Sequence, residues 1–117
     1  MGKQLESVED SKSLDDFVNQ LNQLPESYIH HDFPLKSYMQ IYSEIYDTKS
    51  KYFRYNFSYE GEVTIKQGNG LYVFRSGNQF QHFTKPNTWT RVNHKIVGEE
   101  IIKGVVIRTE ITLYKEM

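Results

Sequence analysis

The sequence predicts an α+β domain in which two N-terminal helices pack on a curved antiparallel meander of five to six strands, as a half-barrel or helix-grip. Apolar residues recur at helical spacing in two stretches between Leu14 and Tyr46. Phe53, Tyr55, Phe57 and Tyr59 then alternate with Arg54, Asn56 and Ser58, which puts four rings on one face of a strand and polar groups on the other. Beyond them, turn signals arrive about every ten residues, the spacing of hairpin-linked strands.

Residues 1–12 are polar, lack a helical period and read as a flexible tail ahead of a single domain over 13–117. Leu14, Phe17, Val18, Leu21 and Leu24 form one helical stripe, with Ser13 as N-cap, Asp15 and Asp16 near the positive helix end, and Pro25 as a stop. A second helix is expected from Pro34, with Leu35, Tyr38, Met39, Tyr42, Ile45 and Tyr46 as its stripe. Tyr52 to Tyr59 is the first expected strand. Gly61 either turns the chain or kinks one long strand, and the parity of Val63 and Ile65 with Phe53 favours the kink. Asn69-Gly70 is a hairpin signal leading into a strand over Leu71–Arg75. Ser76-Gly77-Asn78 precedes a strand over Phe80–Thr84. Lys85-Pro86-Asn87-Thr88 precedes one over Trp89–Val97, closed by Gly98-Glu99-Glu100. The last strand, around Val105–Tyr114, sets Val105, Ile107, Thr109, Ile111 and Leu113 on one face. The core is expected to draw on Leu14, Phe17, Leu21, Leu35, Tyr42, Phe53, Tyr55, Phe57, Ile107 and Ile111.

At 117 residues the chain is long enough for one hydrophobic core. It has no cysteine, which excludes disulfides, thiolate metal sites and a cysteine nucleophile. No run approaches the roughly 18 apolar residues of a membrane-spanning helix, and the start lacks the apolar stretch of a signal peptide, so a cytoplasmic location is expected. The formal net charge of −1 conceals a division. Residues 1–48 hold nine acids against three lysines, and residues 49–117 hold eleven bases against six acids. Either an acidic helical layer docks on a basic sheet, or a basic sheet face is offered to an anionic partner.

His30, His31 and Asp32 are the densest group of metal-capable side chains. They are adjacent rather than spaced for one ion, and no H-E-x-x-H or carboxylate-rich loop accompanies them, so a solvated loop with a capping Asp32 explains them. No metal or cofactor is expected. His82 and His94 fall on neighbouring strands within reach of Glu99, Glu100 or Glu110, the parts of an acid–base pair, although a half-buried surface position explains His82 equally. No serine stands in a G-x-S-x-G elbow, no catalytic residue is assigned and no enzymatic activity is expected. Gly68-Asn69-Gly70 leads into a strand and lacks the Lys-Ser/Thr of a phosphate loop.

The expected function is therefore non-enzymatic protein binding, as an inhibitor, immunity or accessory factor, through an aromatic and Arg-rich surface. Trp89, Arg91, Arg75, Tyr72 and Phe80 are its expected anchors, and an exposed sheet edge leaves pairing into a homodimer open. Two alternatives stand beside it. One is a small-molecule or lipid pocket in a half-barrel, which in outline resembles helix-grip and lipoprotein-carrier folds with no motif to carry the likeness. The other is single-stranded nucleic-acid binding by Arg54, Lys66, Arg75, Lys85, Arg91, Lys95, Lys103 and Arg108, interleaved with Tyr72, Phe74, Phe80, Phe83 and Trp89. Strand parity weighs against it, because the rings and Arg54 of the first strand point to opposite faces.

Overall fold

Helix α1, Ser11–Asn22, takes Asp10 rather than Ser13 as its N-cap. The Asp10 carboxylate accepts the Ser13 backbone N–H at 3.0 Å, and that bond holds this carboxyl below its usual range. Leu14, Phe17 and Leu21 lie on one side of the helix and are buried, as their spacing implies. The structure, a computed structural model, describes residues 4–23, 31–32, 37–50 and 53–116. Leu24, Pro25, His30, Pro34, Leu35 and Tyr52 lie outside the described residues, as do the side chains of His31, Asp32, Phe53 and Arg54.

The expectation of two helices on a five- to six-stranded meander is overturned. Among the described residues α1 is the single helix, and nine strands form the antiparallel sheet. The second expected helix is strand β3, Ser37–Asp47, in chain order the third strand after β1, Leu5–Ser7, and β2, His31–Asp32. Tyr38, Tyr42 and Tyr46 are spaced by four, and that spacing keeps residues on one face in a strand as well as in a helix. Met39, Ile41, Ser43 and Ile45 fall between them, and only a strand separates the two sets. Pairing on both edges holds β3 extended. It runs against β4, Phe53–Gly68, from Ser37↔Val63 to Ile45↔Tyr55, and against β9, Val105–Glu116, from Met39↔Leu113 to Asp47↔Val105.

The strand β4 passes through Gly61 as one element, with Met39 opposite the glycine. It turns at Asn69-Gly70, whose positive φ angles of 52° and 80° suit the tight hairpin into β5, Leu71–Ser76, and thence β6, Phe80–Thr84. The strand expected over Trp89–Val97 is instead two, β7, Trp89–Val92, and β8, Lys95–Ile102, joined by a turn at Asn93-His94. Gly98-Glu99-Glu100 therefore lies inside β8, and the chain turns at Lys103-Gly104. Within the segment expected as a tail, β1 pairs with β9 and the first residues of α1 are already helical.

The strands run in the order β6-β5-β4-β3-β9-β8-β7. The two outermost strands, β6 and β7, are separated in sequence only by residues 85–88, a link that reaches at most about 17 Å. The sheet must therefore roll until its edges approach each other. Contacts across the roll agree: His82 Nε2 on β6 lies 3.0 Å from Thr109 Oγ1 on β9, and the Lys85 N–H donates to Glu100 Oε1 on β8 at 3.0 Å. The inner face holds the core of Met39, Ile41, Val63, Ile65, Phe74, Trp89, Ile96 and Ile111, closed at one end by Leu14, Phe17 and Leu21 of α1. Asn22 ties the helix to the sheet, accepting the Trp89 N–H at 2.8 Å and donating to the Trp89 carbonyl at 2.9 Å.

Of the residues expected in the core, Leu14, Phe17, Leu21 and Ile111 are fully buried, whereas Phe57 and Ile107 are half-buried, Tyr42 lies on the outer face and Tyr55 is 58% exposed. Gly98 sits opposite Trp89 and beneath its ring: a Cβ there would stand 2.7 Å from Trp89 Cε3 and 2.8 Å from Cζ3. Gly98→Ala should therefore cost about 1–3 kcal/mol through overpacking of a rigid ring. Urea denaturation reads the loss, and an unchanged midpoint would show that the indole shifts aside freely.

Candidate functional site

Two strands carry a hydroxyl where their apolar alternation calls for an aliphatic side chain. Ser43 interrupts Met39, Ile41 and Ile45 on β3, and Thr109 interrupts Ile107, Ile111 and Leu113 on β9. The register sets the two directly opposite each other, and both are completely buried. The pairs Trp89↔Gly98, Gly98↔Thr109, Thr109↔Ser43 and Ser43↔Phe57 continue this into one transverse row of the inner face.

His82 completes the cluster from across the roll. Its ring bonds Thr109 and lies between Phe57, edge-on at 5.0 Å, and Phe74 at 6.1 Å. Burial pushes its pKa down to about 4, so the imidazole is neutral at neutral pH. Ser43 Oγ and Trp89 Nε1, both buried, have no hydrogen-bond partner among the described residues. Gln67 Oε1 shares this condition, while its amide donates to the Gln23 carbonyl at 2.6 Å. Buried polar atoms are usually paired, so the unpartnered hydroxyl of Ser43, opposite Thr109, is the feature of this row that packing alone does not explain.

The row beyond, away from α1, is mainly apolar and less deeply buried. Tyr55↔Ile45, Ile45↔Ile107 and Ile107↔Glu100 are successive partners; Tyr55 is 58% exposed, and Ile102, farther along β8, is 44% exposed. The tip of the β5–β6 hairpin borders this region, where the Phe80 ring stacks on Tyr59 at 4.6 Å and the Tyr59 hydroxyl donates to Ser76 Oγ at 2.7 Å.

The expected anchors fare differently. Trp89 and Tyr72 are core residues, 1% and 2% exposed, packed edge to face at 5.5 Å; the Tyr72 hydroxyl donates to the Leu21 carbonyl. Arg91 is paired with Asp15 of α1 at 2.7 Å, Arg75 donates to the Gly77 carbonyl at 3.4 Å, and Phe80 packs on the core. The structure thus does not gather the five into one surface. Arg91–Asp15 and Lys115–Glu6 join the acidic N-terminal part to the basic sheet, so part of the charge division is internal. His94 is exposed in the β7–β8 turn, far in kind from the buried His82, and the two form no pair. Most rings and bases also part company: Tyr72, Phe74 and Trp89 are buried, while Lys95 and Arg108 pair with Glu110 on the outer face at 3.2 and 3.1 Å; Phe83, 54% exposed, shares the outer face with Lys66 and Arg75.

Sequence reasoning misses Ser43 because a helical reading places it on a polar face. The signal was present in the interruption of an apolar alternation by small hydroxyl residues on two strands. A scan against protein-family models and searches of curated proteins and of solved structures find nothing that matches this chain.

Proposed function

We propose that the domain binds a small amphipathic molecule on the inner face of its rolled sheet, at the end that α1 leaves uncovered. The observation that carries this is an apolar run of exposed Tyr55 and half-buried Ile45 and Ile107, lying next to a buried row with an unpartnered hydroxyl at Ser43. Binding sites of this kind combine an apolar lining with a few placed polar groups. Protein docking through the expected anchors has less support, since Trp89 and Tyr72 are spent on the core and Arg91 on its ion pair.

The test is titration with N-phenyl-1-naphthylamine, a neutral probe that brightens in apolar surroundings. Saturable one-site binding is expected, weakened at least fivefold by Tyr55→Ser, which the fold should tolerate because the side chain is exposed. Ile101→Ser, which removes an exposed side chain from the opposite face of β8, should leave the affinity unchanged. Absence of saturable binding, or equal loss in both variants, would sink the proposal.

A further inference from the structure

We propose that the end of the ligand that reaches the buried row is uncharged, an alcohol, phenol, ketone or amide in place of a carboxylate, phosphate or amine. This rests on the amphipathic-ligand reading above and names the chemistry of that same site.

The polar groups of the floor are all neutral. Ser43 Oγ, buried and without a partner among the described residues, can donate one hydrogen bond and accept others. Its cross-strand partner Thr109 is engaged by His82, whose imidazole burial keeps unprotonated. Register places the next inner row at Tyr55, Ile45, Ile107 and Glu100, and the one after it includes Asp47, paired with Val105, and Ile102. Among the described residues, the inner-facing positions of these rows carry two acids and no Lys or Arg.

Each ligand charge meets a different obstacle. An anionic head would pass Glu100 and reach a floor with no cation to pair it, so it loses its hydration without compensation. An ammonium would be drawn to the acids but stop there, because the floor offers it no counter-charge. Glu100 is in any case engaged, accepting the Lys85 N–H at 3.0 Å and the Thr84 hydroxyl at 3.4 Å. An uncharged hydroxyl or carbonyl carries its apolar body over Tyr55 and Ile107 and gives Ser43 the partner the fold withholds.

Displacement of the bound naphthylamine probe by dodecan-1-ol, dodecanoate and dodecylamine, at one pH and ionic strength and below the micellar range, reads the preference directly. The alcohol should compete at least tenfold better than either charged homologue. Ser43→Ala should lower the alcohol's affinity about fivefold and leave that of dodecanoate unchanged, with a thermal melt no lower than the parent's confirming that the variant is folded. If the probe binds and a charged homologue competes as well as the alcohol, or none of the three competes, the head-group assignment fails while the binding site stands. If the probe itself does not bind, both fail together.

Discussion

Trp89→Ala should remove a large share of the stability of this domain. The indole is 1% exposed, meets Tyr72 and Phe74 edge to face at 5.5 and 5.9 Å, and lies over Gly98. Truncating a fully buried tryptophan costs about 3–5 kcal/mol, against a total of roughly 5–15 kcal/mol for a domain of ordinary stability. Chemical denaturation followed by far-ultraviolet circular dichroism should show a large fall in midpoint, and Trp89→Phe should recover part of it by refilling the space against Phe74. An alanine variant as stable as the parent would place the indole outside the core. Read from sequence alone, the same substitution is expected to spare the fold and abolish partner binding, so one melt separates the two roles.

Acid should destabilise the fold through His82 between about pH 6.5 and 4. Its folded-state pKa, lowered from 6.5 to about 4 by burial, means that the unfolded chain binds a proton the native state refuses. The unfolded state therefore binds more protons throughout this window, and stability falls as pH falls through it, by about 3 kcal/mol at its acid end. The carboxyls with lowered pKa values, Asp10 and Glu110, lose their contributions at lower pH, below their ordinary values of 3.8 and 4.5. His82→Gln keeps an amide to meet Thr109 and cannot titrate, so its stability should be nearly flat from pH 6.5 to 5 while the parent's slopes. A slope unchanged in the variant would assign the acid response to another group.

These two effects depend on residues whose role the sequence leaves open for different reasons. For Trp89, propensity and turn signals give a strand but not which of its faces is inner, because the strand is short and flanked by polar residues on both sides. For His82, the alternation Phe80, His82, Thr84 is legible, yet its hydrogen bond goes to Thr109, 27 positions away on a strand that is not its sheet neighbour. Ser43 was hidden by an error of period: a tyrosine every fourth residue satisfies helix and strand alike, and the adjacent proline signal tips a local reading toward helix.

Features that depend on near neighbours are legible in the residues alone. The first helix follows from its stripe, the inner and outer faces of β4 and β9 from strict alternation, and the β4–β5 hairpin from Asn69-Gly70, each enforced by contacts within about ten residues. Long-range contacts settle that residues 37–47 are a strand, that β3 pairs with β9 some sixty to seventy residues on, and that the roll brings His82 onto Thr109 beside Ser43. An extended strand satisfies its backbone through partners distant in the chain, so the choice between helix and strand at β3, and the site on its inner face, exist only once β4 and β9 are in place.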